Sequence, residues 1–311
     1  NQRKRPTMAD VALHAGVGIA TVDRVLTGRR KVREENVRLV FEAAAALGYH
    51  ATPVIRYRLL QDAPRVTFGF ILPKKEQVFY QNLTRALNNE CNGTSELQVN
   101  SVFRYTESQD PSEHAEALVE VGEMSDIVSA SLVNHALVER VVNTLTLSKK
   151  PVFAMLNDFA PEMRRKFVGL DNFRAGRQAG WILRNIIREP AKIIVLIGGN
   201  LWQAHQQRES GFRSFFREHA PEFKVQDAVL NLETRQVTYA MVKDILASQA
   251  DLRGIYVTGG GVEGAIDALN DTGLRSKVKL IVHTLPADTR AALDDGLVSM
   301  IIGTPTNTFA K

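Results

Sequence analysis

The stretch "TMADVALHAGVGIATVDRVL", Thr7 to Leu26, holds two short helical patterns with almost no room between them. At helical spacing Val11, Ala12 and Ala15 share one face before Gly16, and Val22, Val25 and Leu26 share another after it. Thr7 with Asp10 three residues on has the form of a capping box, each side chain reaching an orphan backbone donor. Gly16 suits the positive φ that a tight turn between helices needs. The second helix is expected from about Gly18, presenting Ile19, Ala20, Thr21 and Arg24 outward. A helix-turn-helix of this kind lays its second helix in the DNA major groove, N-terminal residues toward the bases. A plain structural helix pair with a glycine turn has the same pattern, so both readings stand at this point.

The charge distribution separates them. Residues 1–60 hold 11 Lys and Arg against 5 Asp and Glu, whereas 61–311 hold 28 against 29. The whole basic excess of the chain therefore sits on the helix pair and its surroundings. Cations concentrated on one small module are the footprint of phosphate binding, whereas an ordinary solvated surface mixes the signs.

The 311 residues, 44% of them hydrophobic, suffice for more than one domain with sizeable cores. No run approaches the roughly 20 apolar residues of a membrane span, and the basic start "NQRKRPT" has no apolar signal-peptide core behind it. The expectation is a cytoplasmic protein with no membrane partner. A single cysteine, Cys91, excludes an internal disulfide and suits a reducing compartment; it reads as a buried small residue on a helix.

A third helix follows at "REENVRLVFEAAAALG", with Val37, Val40, Phe41, Ala44 and Leu47 on one face and Gly48 as its stop. "YHATPVIRYRLLQDAPR" then reads as a linker, of which "VIRYRLL" would form one or two helical turns on binding something. From Val66 apolar runs alternate with amphipathic stretches. "VTFGFIL", "QVNSVF", "DIVSASLV", "PVFAML", "KIIVLIG", "GIYVTGG", "VKLIVHTL" and "VSMIIG" read as strands buried on both faces. Helical segments such as "RAGRQAGWILRNII" and "RESGFRSFFREH" separate most of them. That alternation specifies an α/β architecture, parallel sheets covered by helices, and so many strands suggest two sheets in two lobes.

In open parallel sheets ligands bind beyond the carboxyl ends of the strands. The loops there supply Phe79 and Tyr80, Asp158, Asp171, Trp202 and Arg208, Thr258 and Thr284. Aromatic rings with carboxylates and a guanidinium suit a polyhydroxylated ligand, the rings covering its apolar face and the charged groups bonding its hydroxyls. The competing reading makes Phe79 and Trp202 core packing and Arg208 a surface ion pair. "GGGVEG" at 259–264 formally matches a dinucleotide fingerprint, but it comes late in the chain and lacks the acidic residue about 20 positions on. No serine-hydrolase, phosphate-loop, zinc-protease or paired-cysteine motif is present, and the seven histidines are scattered. No catalytic residue, metal ligand or cofactor is therefore expected.

At "TMADVALHAGVGIATVDRVLTGRRKV" the chain resembles the lactose/galactose repressor (LacI-type) family, with Ala12, Gly16, Val17, Thr21, Val22, Arg24, Val25, Leu26 and Gly28 fitting its DNA-reading signature. Looser similarity, through "VGLDN", "RESGF" and "LDDG", extends over a periplasmic-binding-protein-like core. The resemblance implies a homodimer that reads a pseudo-palindromic double-stranded operator and is switched by a small effector between two lobes. It implies DNA contacts at Thr7, Gly18, Ile19, Ala20, Thr21, Asp23, Arg24, Arg29, Arg30 and Lys31, with Leu59 or Leu60 as a minor-groove wedge. It implies effector contacts at Asp171 and Arg208, with Phe79 and Tyr80 at the aromatic edge. Gly18 stands where the family has a Ser or Thr cap, and Asp23 replaces a serine near phosphates. The chain stops at "TNTFAK", where the family adds a helix and a strand, so truncation is expected.

The expected organisation is an all-α helix-turn-helix module over 1–49, a hinge over 50–65 and a two-lobed α/β periplasmic-binding-protein-like core over 66–311. The expected function is a sequence-specific transcription regulator, a repressor whose effector is a sugar or polyol. A transporter's solute receptor and a dinucleotide-dependent enzyme are the alternatives.

Overall fold

The computed structural model describes residues 5–60, 63–94, 96–283 and 287–311. The chain divides into two compact units, 1–67 with 89–101, and 68–88 with 102–311.

The first unit is helical at its start: α1 (Met8–Ala15), α2 (Ile19–Thr27), α3 (Glu34–Leu47) and α4 (Thr52–Leu59). The capping box is present, Thr7 N donating to Asp10 Oδ2 at 2.8 Å and Asp10 N to Thr7 Oγ1 at 3.3 Å. Gly16 closes α1 at φ 66°, a left-handed conformation that a side chain would strain. Val11, Val22, Val25, Val40 and Phe41 form the shared core. The stretch expected as a linker departs from expectation. With Pro53 in its first turn, where a missing N–H costs nothing, α4 is already a two-turn helix, and Ile55 is fully buried in the helical core. An apolar residue in that core outweighs the helix's short length.

In the second unit, with β1 (Arg65–Pro73) and β2 (Gln98–Thr106) starting in the first unit's residue range, one sheet runs β2-β1-β3-β4-β5. Its remaining strands are β3 (Ile127–Ala130), β4 (Val152–Met155) and β5 (Lys166–Val168), and its helices are α5 (Val78–Gly93), α6 (Pro111–Met124) and α7 (Ala136–Leu147). After α8 (Asn172–Ile186), the other sheet runs β11-β10-β9-β6-β7, with β8 also paired to β6. It contains β6 (Lys192–Ile197), β7 (Lys224–Val225), β8 (Val229–Leu230), β9 (Leu252–Val257), β10 (Lys279–Val282) and β11 (Val298–Ile301). Helices α9 (Gln203–His219), α10 (Arg235–Ser248), α11 (Val262–Asp271), α12 (Ala287–Asp294) and α13 (Thr306–Phe309) complete the chain.

The pairings described in both sheets are parallel. Burial on both faces explains the continuous apolar runs: in β6, Ile194 and Leu196 enter one core while Ile193, Val195 and Ile197 enter the opposite one. β2 departs from that expectation, because an edge strand with partly exposed residues has one covered side. The strands β5, β7 and β8 are too short to show a period. Cys91 lies on α5 but is only partly buried. Among the described residues no helix is long and apolar enough to cross a membrane.

Candidate functional site

On the helical module, Gly16 turns the chain so that α2 packs Val22 and Val25 inward and leaves its other face bare. Ile19 is 53% exposed, an unusual position for isoleucine. Ala20, Asp23 and Arg24 are also exposed, Thr21 is partly so, and Arg29, Arg30 and Lys31 stand in the exposed loop after α2. Gly18 is the N-cap of α2 without a side-chain cap, which leaves the first amides of the helix open. Thr7 is exposed at the start of α1. Arg24 Nε donates to Ala20 O at 2.9 Å, holding its side chain along the helix. Leu59 packs against the helical core, and Leu60, just after α4, is buried.

In the second unit a cavity opens where the carboxyl ends of both sheets meet, as parallel topology requires. β1 leads to Gln77, Phe79 and Tyr80, β4 to Asn157, β6 to Trp202, His205 and Arg208, β8 to Glu233, β9 to Gly259 and Gly260, and β10 to His283. Among the described residues, four of the six non-glycine residues with positive φ stand at these strand ends, Lys74, Leu156, Leu232 and Glu233. Backbone held in such conformations collects at functional sites.

Helices α8 and α9 position the cation of this cavity. Gly176 and Gly211 let the two backbones approach so closely that a Cβ at either would strike a carbonyl of the other helix, Arg208 O or Phe173 O. From α9, Arg208 reaches back so that Nε donates to Asn172 Oδ1 at 2.8 Å and Nη1 to Thr258 O. One helical turn earlier stands His205, whose Nδ1 accepts Gly198 N–H at 3.2 Å. Burial pushes its imidazole down to about 4, against the pull of Glu233, so the ring is neutral at pH 7. Burial likewise pushes the Tyr80 phenol up and Arg208 down.

The lobes are joined across the cavity. Lys74 Nζ pairs with Glu233 Oε2 at 3.2 Å, the two side chains 17% and 12% exposed. Burial works against the Glu233 carboxylate, but the nearby His205 and Lys74 and a hydrogen bond from Gly260 N–H hold it below the usual range. Gln109 Nε2 donates to Gly198 O at 2.9 Å, and Ala204 N to Asn157 Oδ1 at 2.8 Å.

The expected set of pocket residues is thus only partly assembled. Phe79, Tyr80, Trp202 and Arg208 line the cavity. Asp158 does not, because both its oxygens are forked by Arg164. Asp171 caps α8, accepting Arg174 N–H at 2.9 Å. Thr258 is buried with its hydroxyl donating to Leu196 O at 3.0 Å, so it contributes its carbonyl rather than its side chain. Thr284 lies outside the described residues. Lys74, Asn157, His205 and Glu233 were absent from the expected set. His205, three positions before Arg208 on one helix, was detectable by spacing; Glu233, in "NLET", carried no sequence signal.

The glycines of "GGGVEG" have packing partners. A Cβ at Gly259 would meet His205 Cε1 and Nε2 at 2.5 Å, and one at Gly264 would strike Arg235 O and Tyr239 N of α10. Among the described residues no group of three or more His, Cys, Asp or Glu could hold a metal ion.

Residues 68–311 match the periplasmic binding protein domain, and residues 7–52 match the lacI family of bacterial regulatory proteins. The sucrose operon repressor of Streptococcus mutans is 28% identical over 220 residues, 70% of this chain and 63% of that one. Catabolite control protein A of Priestia megaterium is 35% identical over 83 residues, 27% of this chain and 24% of its own. The matches span less than two thirds of the length of these relatives. Among solved structures, a solute binding protein of an ABC transporter from Burkholderia graminis, in complex with D-arabinose, superposes with a TM-score of 0.73 at 17% identity, covering 80% of this chain and 86% of that one. The periplasmic component of an ABC-type sugar transport system from Hahella chejuensis does so at 0.72 and 17%, covering 78% and 89%. These likenesses establish the two-lobed fold of the second unit. With a lacI-type helical module ahead of a periplasmic binding protein domain, the chain belongs to the lacI family of bacterial regulatory proteins.

Proposed function

We propose that the chain is a sequence-specific DNA-binding transcription regulator, a repressor, that reads a pseudo-palindromic operator as a homodimer. The observation that carries this reading is the bare face of α2: Ile19, Ala20, Asp23 and Arg24 exposed behind an uncapped helix N-terminus, followed by Arg29, Arg30 and Lys31. Ile19 and Ala20 suit thymine methyl groups, Arg24 suits a guanine edge, and the basic loop suits phosphates. Asp23 suits a cytosine amino group. Thr7 and Gly18 would meet the backbone through helix N-termini. An effector of sugar or polyol type, held by Phe79, Tyr80, Trp202 and Arg208, would change operator affinity by binding two states of the lobes unequally, and DNA would change effector affinity by the same factor. The names of the sucrose operon repressor and of the sugar-transport structures support this class of effector. A regulator of this kind works in the cytoplasm.

The solute-receptor alternative accounts for the second unit but assigns no role to the basic helical module. The dinucleotide alternative has to place a pyrophosphate against glycines already packed on His205, Glu233 and α10.

The test is selection of bound sequences from a random duplex pool at fixed salt, with a panel of sugars and polyols absent and then present. Enrichment of a palindrome whose affinity changes with one compound is the expected result. Binding without sequence preference would reduce the helical module to a nonspecific basic patch and count against the regulator.

A further inference from the structure

The hydrogen-bonding groups of the cavity are out of balance. Arg208 is a partly buried guanidinium whose recorded acceptors, Asn172 Oδ1 and Thr258 O, are both neutral. Among the described residues it has no carboxylate in ion-pair reach, and the cavity's carboxylate, Glu233, is taken by Lys74 and by Gly260 N–H. His205 is neutral, as its acceptor Nδ1 requires. Lys74 and Glu233 cancel, so Arg208 leaves the cavity with an uncompensated positive charge. Trp202 adds a second surplus donor: it is 4% exposed, and its Nε1 has no partner among the described residues.

The carboxylates and the Asn157 amide oxygen, the strongest acceptors expected for sugar hydroxyls, are engaged elsewhere. Asn157 Oδ1 already takes Ala204 N–H, and Asp158 and Asp171, the carboxylates that would accept sugar hydroxyl protons, point to Arg164 and to the start of α8. A neutral sugar needs acceptors as well as donors, because each hydroxyl is both. An anion needs donors and positive charge alone, and a planar carboxylate or a phosphate meets a guanidinium through paired hydrogen bonds. The cavity in the joined state has a volume of about 90 Å³.

We propose that the effector is an anionic polyol, its carboxylate or phosphate seated on the Arg208 guanidinium with Trp202 at its side. This rests on the reading of the cavity as the effector site. Trp202 is also the means of testing it, since the other tryptophan, Trp181, is exposed on α8 away from the cavity lining. In the full chain carrying W181F, emission from Trp202 is followed at constant ionic strength during titration with D-glycerate against glycerol, gluconate against glucose, and glucose 6-phosphate. The expected result is saturation by an anionic member at least about tenfold below the concentration needed for its neutral counterpart, the range of a charge-assisted hydrogen bond. Response to the carboxylates assigns a sugar acid; response only to glucose 6-phosphate assigns a phosphate ester. R208K, which keeps the charge but not the fork, is expected to weaken the response about tenfold, and R208Q to abolish it while the unfolding midpoint shows the chain still folded. Equal or tighter saturation by the neutral compounds, or response to none of the anions, overturns the proposal. Binding of the same chain to its selected duplex is read separately. Duplex binding without an anion response therefore rejects the anion alone, and an anion response without duplex binding rejects the regulator alone.

Discussion

On α2 the side chains offered to a partner, Ile19, Ala20, Asp23 and Arg24, are near neighbours in sequence and stand in solvent, whereas the cavity gathers Lys74, Asn157, His205, Arg208 and Glu233 from separate strand ends and buries them wholly or in part. The exposed set keeps its water until a partner replaces it, so changing one member alters binding and barely touches the fold. The buried set has already left water, so each charge depends on its partner for the stability of the unit. Substitutions at the two sites should therefore report in different observables.

The largest effect is expected at the ion pair between the lobes. K74M strands the Glu233 carboxylate among buried groups and should cost about 3–5 kcal/mol in denaturant unfolding, with most of it recovered in K74M/E233Q. Full additivity of the two changes would mean that the pair is not coupled. Acid comes next. The folded-state value of His205 lies near 4, against an ordinary 6.5, so the unfolded chain binds more protons between those limits. The stability His205 contributes is complete above about pH 6.5 and is lost as pH falls toward 4, on the order of 3 kcal/mol in total. His114 and His283, also shifted down by burial, add in the same direction. Unfolding free energy followed from pH 7.5 to 4, with H205Q as the control that flattens part of the slope, checks this; a flat wild-type profile would rule it out.

At α2 the expected change lies in binding. R24A should weaken operator affinity by about 1–3 kcal/mol and relax preference at one base position, leaving the melting temperature unchanged. Uniform weakening over all sequences would assign Arg24 to a phosphate instead. The smallest effects separate backbone from surface. G16A, at φ 66° with open space around the Cβ, should destabilise the helical module by about 1 kcal/mol purely through its backbone conformation. G18S, at an ordinary φ, should stabilise it by a few tenths through a new cap. Hydrogen exchange of the α1 and α2 amides distinguishes them, and equal responses would remove the left-handed turn from the account.

The helical module and the apolar strands were legible because their signals are local. Capping box, glycine stop and helical spacing lie within a few residues of one another, and strands buried on both faces write themselves as apolar runs. The cavity was legible only where aromatic or cationic residues stood at strand ends, as at Phe79, Tyr80, Trp202 and Arg208. Asp158 and Asp171 misled because a carboxylate at a strand end has the same sequence signature whether it faces a ligand, an arginine or a helix N-terminus. The α4 segment misled for a related reason: its polar composition reads as a linker, while the burial of Ile55 that orders it depends on a core assembled from other helices.

By itself the sequence determined the helix-turn-helix, the basic excess on it and the parallel α/β architecture, since each follows from residues interacting with near neighbours or with water. Only the tertiary structure decided which charges meet across the lobes. Lys74 and Glu233 are more than 150 residues apart, yet their pairing sets the charge balance of the cavity by leaving Arg208 uncompensated. Electrostatic compensation acts through space, and the chain alone does not reveal its distances.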